Sequence, residues 1–325
     1  MTNVLCLRPQ ADFARVDVLP PASLSVSYKA SDDAQLPALM RQAQALVIPA
    51  VGPRLPSALF ENTALKLVQV TGAGLDRLDK ATLTRAGIPV ANVPGGSNSA
   101  VAEYSVTAAT TLLRRFAWAD IEIKQGNYAA FRARLVTDNL AGLDGLLVGV
   151  VGFGVIGLAV AQAFAKAGCR LCYFDPAPSD PNAAQALGAE AMPLAELLRR
   201  ADVVTLHVPL LPATQGMIGA RELTSMKKGA VLIQASRGGI VDEEALADSL
   251  RSGHLAGAAV DVYSTEPPAP DNPLLKLAGE PAHRLLLTPH IAGVTRQAAA
   301  FLFRSAWQNV ERVLIAKLPP MNRAY

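Results

Sequence analysis

Short apolar runs alternate with longer stretches whose apolar positions recur every three or four residues, along nearly the whole chain. Short runs bounded by turn residues predict buried strands, and the longer periodic stretches predict helices. Their alternation predicts parallel sheets covered by helices, an α/β fold. In the first third, residues 4–7, 45–49, 67–70 and 90–92 predict strands, separated by helices at 36–44, 57–62 and 79–86. Residues 98–124 keep helical spacing and contain no Pro or Gly, which predicts one long helix, and the polar, glycine-containing stretch 125–144 follows it as a loop. A second series then predicts strands at 146–151, 170–174, 203–206, 230–234, 257–260 and 285–287. Among its helices, 159–167 stops at Gly168. A closing helix at 295–316 ends the series and is placed to return to the first domain. The layout expected is a first domain, an inserted second domain and a C-terminal return.

Composition narrows the class. At 325 residues the chain exceeds what one hydrophobic core usually supports, and 51% hydrophobic residues argue against disorder. Three cysteines cannot build a disulfide scaffold and fit a reducing, cytoplasmic setting. Thirty basic and twenty-seven acidic residues leave a net +3 with no long basic run, which argues against a nucleic-acid partner. The N-terminus lacks the features of a secretory signal. Residues 145–165 carry no charge and are long enough to span a bilayer, but Gly145, Gly149, Gly152, Gly154 and Gly157 crowd the first half. A buried strand, a glycine turn and a helix account for that run, so no membrane segment is expected. Cys169 and Cys172 have no second cysteine pair to complete a zinc site, so no metal is expected.

Gly152, Gly154 and Gly157 follow a predicted strand and open a predicted helix in the pattern G-x-G-x-x-G. The first glycine permits a tight turn, the second lets backbone approach a pyrophosphate, and the third lets helix and strand pack closely. The helix N-terminus then offers N–H donors to the anion. Asp175 stands eighteen residues beyond Gly157, at the end of the next predicted strand. A carboxylate there accepts from the adenosine ribose hydroxyls and repels a 2′-phosphate, which favours NAD over NADP. The other reading is a structural turn with a capping aspartate.

Four further blocks accompany the turn. They are Gly72-Ala73-Gly74-Leu75-Asp76-Arg77-Leu78-Asp79, Gln234-Ala235-Ser236-Arg237-Gly238-Gly239, Asp261-Val262-Tyr263-Ser264-Thr265-Glu266-Pro267 and Thr288-Pro289-His290-Ile291-Ala292-Gly293. Gly95-Gly96-Ser97-Asn98 precedes the long helix as a hinge would. In this order the blocks resemble the D-isomer-specific 2-hydroxyacid dehydrogenase family, across nearly the whole chain. The resemblance implies two Rossmann-like or flavodoxin-like parallel-sheet domains. The NAD-binding domain, 98–291, is inserted into a substrate domain made of 1–97 and 292–325.

The resemblance also implies roles. Arg237 holds the substrate carboxylate and reacting oxygen, His290 is the general acid or base, and Glu266 orients its ring. A guanidinium suits a carboxylate because it offers two parallel donors, each charged hydrogen bond contributing roughly 1.5–3 kcal/mol. Imidazole suits proton transfer near neutral pH. Ala73 and Gly74 offer N–H groups to the carboxylate. Phe153, Val155 and Ile156 offer theirs to the pyrophosphate, and Asp261 meets the nicotinamide amide. His207 lies near the adenine, and Val208, Pro209, Thr214, Ala235, Ser236 and Gly293 complete the cofactor contacts. His254 and His283 are expected in solvent. A homodimer through the second domain is implied, with 98–124 and the loop after it, including Tyr128, at the contact.

Some positions depart from the family pattern. Val155 stands where many relatives carry a basic residue, and Gln234 where Asn is commoner. Glu266 argues against formate as substrate, since formate dehydrogenases use Gln there. Arg54 and Arg77 are the candidate anchors for a substrate phosphate. Small unphosphorylated acids of the glyoxylate, hydroxypyruvate or pyruvate type are the first expectation. The alternatives are a phosphoglycerate-type dehydrogenase of the same family and a non-enzymatic NAD-sensing binding protein.

Overall fold

The computed structural model describes residues 2–176, 180–278 and 284–325. The chain divides into two compact units, Met1–Ser97 with Val294–Tyr325, and Asn98–Gly293. The first unit opens with β1 (Thr2–Cys6), α1 (Gln10–Ala14), β2 (Leu24–Tyr28), α2 (Leu36–Gln42) and β3 (Ala45–Ile48). A 3-10 turn (Ser57–Phe60), β4 (Leu67–Val70), α3 (Lys80–Arg85) and β5 (Val90–Ala91) follow. All five strands run parallel in the order β2-β1-β3-β4-β5, the flavodoxin-like winding.

Strand residues alternate between two cores. Leu5, Leu46, Ile48 and Val68 meet Leu36, Met40, Phe60 and Leu83 on one face. Val4, Cys6, Val47 and Leu67 meet Phe13, Phe303 and Trp307 on the other. Inner strands β3 and β4 are buried throughout, as a sheet covered on both faces requires. β2 is an addition to the strands that the sequence predicts. It is an edge strand whose serines alternate with apolar residues, so it carries no continuous apolar run.

The second unit starts with α4 (Asn98–Arg114), α5 (Phe116–Lys124) and α6 (Tyr128–Thr137). Then come β6 (Leu147–Val151), α7 (Val155–Lys166), β7 (Arg170–Phe174), α8 (Pro181–Ala186), β8 (Glu190–Ala191), α9 (Leu194–Arg200) and β9 (Val203–Leu206). The unit closes with α10 (Ala220–Ser225), β10 (Val231–Gln234), α11 (Glu243–Arg251), β11 (Gly257–Val260), α12 (Pro273–Ala278) and β12 (Leu285–Leu287). The parallel order β12-β11-β10-β9-β6-β7-β8 reverses direction between β6 and β9, the switch point where α/β sheets bind ligands. Finally α13 (Arg296–Leu314), capped by the Thr295 side chain, lays Phe303, Trp307 and Val310 on the first unit's sheet.

The single helix expected over 98–124 is two. Arg115 adopts the left-handed conformation at φ 55° between α4 and α5, and its guanidinium pairs with Asp138 at 2.5 Å. Such a residue costs roughly 1–2 kcal/mol, which the ion pair helps to offset. The loop expected at 125–144 contains α6, whose one buried residue is Phe131. The uncharged run 145–165 is occupied by β6, the glycine turn and α7, and no helix among the described residues is long and apolar enough to cross a membrane. His254 is half-buried and donates from Nε2 to the Met226 carbonyl at 2.9 Å, rather than lying in solvent. His283 lies outside the described residues.

Candidate active site

At the end of β6 the three glycines of the turn have separate physical reasons. Gly152 has φ +90°, and a Cβ there would lie 2.6 Å from the His207 carbonyl oxygen. A Cβ at Gly157 would lie 1.9 Å from the Gly152 carbonyl oxygen, so the start of α7 packs on the turn only with hydrogen in that place. Gly154 faces open space and caps α7. The first-turn N–H groups of Val155 and Ile156 have no intrahelical acceptor and lie at the positive end of a 12-residue helix. Asn98 Nδ2 donates to the Val155 carbonyl at 3.1 Å and steadies this end of the helix.

The Phe153 N–H, expected at the pyrophosphate, has a partner of its own in the structure. It donates to Asp175 Oδ2 at 2.6 Å, so the carboxylate at the end of β7 holds the turn and takes that donor. The Phe153 ring is buried against Tyr173, with centroids 4.3 Å apart. Val208 packs on the turn, its Cγ1 lying 2.7 Å from where a Cβ on Gly152 would be. His207 Nε2 shares a hydrogen bond with Thr205 Oγ1 at 2.8 Å, while Nδ1 is buried without a partner. Open glycine backbone, two helix N–H donors and this orphaned nitrogen fit a dinucleotide. Thr214 is different: its hydroxyl donates to the Pro209 carbonyl at 2.6 Å and accepts from Leu211 N–H, so it closes its own loop.

Burial pushes the His207 imidazole down from its ordinary value to about 3. The folded protein therefore binds this proton less readily than the unfolded chain, and stability falls as the pH drops from about 6.5 toward about 3. Urea midpoints measured across that range are expected to decline less in His207→Gln than in the wild type. Equal slopes would mean that His207 does not drive the loss.

β10 ends in Gln234, which is almost completely buried. Its Oε1 accepts from the Ser236 hydroxyl at 2.7 Å and from the Ser236 N–H at 3.3 Å. Its Nε2 donates to the Arg237 carbonyl at 2.8 Å. Gln234 thus clamps the turn that carries Arg237, and it commits the Ser236 hydroxyl, expected at the cofactor, to that turn. Ala235 and Arg237 are half-buried, and Arg237 Nη1 donates to the Ser236 carbonyl at 2.7 Å. A Cβ at Gly238 would sit 1.8 Å from the Tyr263 carbonyl oxygen, so the Arg237 turn lies directly on the loop leading to Glu266.

The structure brings Glu266 and His290 together: His290 Nδ1 meets Glu266 Oε2 at 2.8 Å. Glu266 Oε1 accepts from the Tyr263 N–H at 3.1 Å, which orients the carboxylate. With Nδ1 on Glu266, the ring nitrogen left for chemistry is Nε2. Asp261, expected at the nicotinamide amide, joins the His290 loop. It is 0% exposed, and its carboxylate accepts from the Thr288 hydroxyl and from the N–H groups of Ile291 and Ala292. These three bonds fix the loop that carries His290. Gly293 closes this loop at the end of the unit. Tyr104, which no sequence motif marks, joins the network through Thr288 Oγ1 at 2.7 Å.

In the first unit, Ala73 and Gly74 are half-buried in the loop after β4, and among the described residues no acceptor takes their N–H groups. Asn92 Nδ2 donates to the Ala73 carbonyl at 2.7 Å, and Val93 N–H to that of Gly72 at 2.9 Å. The two arginines considered as phosphate anchors are committed. Arg54 pairs with Asp79 at 2.6 Å, and Arg77 is 2% exposed.

A family model described as "D-isomer specific 2-hydroxyacid dehydrogenase, NAD binding domain" matches residues 106–292. The chain is 37% identical over 234 residues to D-3-phosphoglycerate dehydrogenase of Archaeoglobus fulgidus, covering 72% of this chain and 42% of that protein. It is 34% identical over 258 residues to glyoxylate reductase of Korarchaeum cryptofilum, covering 79% of this chain and 75% of that one. The chain spans under half the length of the phosphoglycerate dehydrogenases it matches first, 42% and 48%. Among solved structures, the pyruvate reductase of Chlamydomonas reinhardtii is similar with a TM-score of 0.81 and 29% identity, over 99% of this chain and 98% of that one.

Proposed function

The chain belongs to the D-isomer-specific 2-hydroxyacid dehydrogenase family, and from that premise we propose that it interconverts a small unphosphorylated 2-oxo acid and its D-2-hydroxy acid with NAD(H). The observation that carries this reading is the direct Glu266–His290 contact, with the Arg237 turn packed on the loop leading to Glu266. NADH, when bound, supplies the hydride. Val155, Ile156 and the open backbone at Gly154 would hold its pyrophosphate, and Asp175 its ribose.

The remaining steps belong to the chain's own residues. Arg237 binds the substrate carboxylate and the carbonyl oxygen. His290 Nε2 gives a proton to that oxygen during reduction and takes it back during oxidation. Glu266 fixes the ring through its contact with Nδ1. The N–H groups of Ala73 and Gly74 add donors to the carboxylate. With Arg54 paired and Arg77 buried, neither offers a guanidinium to a substrate phosphate, which favours glyoxylate, hydroxypyruvate or pyruvate over a phosphorylated acid. A second copy of the chain is the proposed partner of α5 and α6, which expose Phe116, Ile121, Ile123, Tyr128 and Val136.

The test follows NADH absorbance with a panel of phosphorylated and unphosphorylated 2-oxo acids, with NADPH in parallel. Turnover of an unphosphorylated acid is expected, with NADH preferred, and Asp175→Ala is expected to narrow that preference. A preference for NADPH would end the argument from Asp175. NADH binding without turnover of any acid would favour a cofactor-sensing protein over an enzyme.

A further inference from the structure

Arg77 is a buried arginine for which no carboxylate among the described residues serves as partner. Burying a guanidinium is costly unless its donors are used, and here neutral oxygens use them. Nε donates to the Pro53 carbonyl at 2.9 Å, Nη2 to Ser31 Oγ at 3.0 Å, and Nη1 reaches the Pro49 carbonyl at 3.4 Å. The Arg77 carbonyl accepts from the Leu55 N–H at 2.9 Å. A Cβ on Gly52, at φ +130°, would lie 3.3 Å from the guanidinium carbon, so the loop closes over the charged head with glycine at its tip.

These contacts tie together three loops at one edge of the first sheet. Ser31 follows β2, Pro49 and Pro53 follow β3, and Arg77 itself follows β4. That edge, beyond the carboxyl ends of the strands, is where such sheets bind ligands. The tied loop also abuts the backbone proposed to bind substrate, since a Cβ on Gly72 would fall 2.7 Å from the Ala50 Cβ. Thr71 anchors the same junction, its N–H donating to the Ile48 carbonyl at 2.8 Å.

We propose that Arg77 is a positioning residue for substrate binding: its guanidinium fixes the 49–55 loop against the 72–74 backbone and so sets affinity for the 2-oxo acid. This rests on the reading of Ala73 and Gly74 as carboxylate donors. Arginine suits the task because a rigid planar fork reaches several acceptors at once, whereas a lysine ammonium is a point charge on a flexible stem. Charge alone therefore does not substitute for it.

The experiment compares wild type with Arg77→Lys, Arg77→Met and the milder Ser31→Ala. It reads amide hydrogen exchange over 49–55 together with KM, kcat and NADH affinity. Faster exchange in both Arg77 variants is expected, with KM raised about tenfold in Arg77→Met, kcat within about twofold and NADH affinity unchanged. Ser31→Ala, which removes one contact and keeps the charge buried, is expected to fall between. Arg77→Lys behaving as wild type would overturn the proposal, because a charge without the fork would then suffice. So would faster exchange with KM unmoved. If the wild type turns over no acid, the dehydrogenase reading fails and takes the substrate role with it, while exchange still decides whether Arg77 holds the loop.

Discussion

His290→Ala is expected to lower kcat for 2-oxo acid reduction by about 10²- to 10⁴-fold, the range for loss of a positioned proton donor. NADH is expected to bind the variant, because the glycine turn and Asp175 form their contacts without the imidazole. Glu266→Gln is expected to lose less, since an amide oxygen can still accept from Nδ1 and preserve the ring's orientation. Stopped-flow NADH oxidation with wild type and both variants checks all three statements. Turnover of His290→Ala within about threefold of wild type would remove the imidazole from proton transfer, because so small a loss corresponds to less than one ordinary hydrogen bond.

Sequence legibility followed the physics of each segment. Inner strands such as β3, β4, β6 and β9 are covered on both faces, so they read as unbroken apolar runs and were visible. Edge strand β2 and the two-residue β8 bury too little to leave that signature. The break at Arg115 was invisible because it depends on a distant partner, Asp138, and on no Gly or Pro.

The same distinction holds at the candidate site. The glycine turn was legible because steric exclusion at Gly152 and Gly157 restricts the residue type. What the Phe153 N–H bonds to was not, since it depends on where β7 delivers Asp175. Gln234 was visible as a member of the Arg237 block, but its clamp on that turn is a tertiary contact that spacing does not show, and Tyr104, which reaches the His290 loop through Thr288, belongs to no motif.

Asp261→Ala is expected to be the most damaging single change in the second unit, in both stability and turnover. Oδ1 accepts from the Thr288 hydroxyl at 2.6 Å and from Ile291 N–H at 2.8 Å, and Oδ2 accepts from Ala292 N–H at 2.8 Å. Because the one hydroxyl hydrogen of Thr288 is given to Asp261, Tyr104 is the donor in its bond to Thr288. Burial holds the Tyr104 hydroxyl up at about 12, so the donor stays protonated. Alanine would strand three donors around a fully buried position, at about 1–3 kcal/mol each. The loop between them carries His290 at φ 55°, a left-handed conformation that a side chain adopts only when its surroundings hold it there. Releasing that loop is expected to misplace the imidazole, so turnover falls along with the denaturant midpoint. Asp261→Asn, which keeps one acceptor and sets an amide NH₂ against a donor, is expected to lie between, and Tyr104→Phe to cost only about 1 kcal/mol. Urea titrations and kcat measured on the same preparations separate structure from chemistry. If Asp261→Ala kept its midpoint but lost turnover, the carboxylate would be acting in the reaction itself, since a buried network of three bonds cannot be removed without a thermodynamic trace.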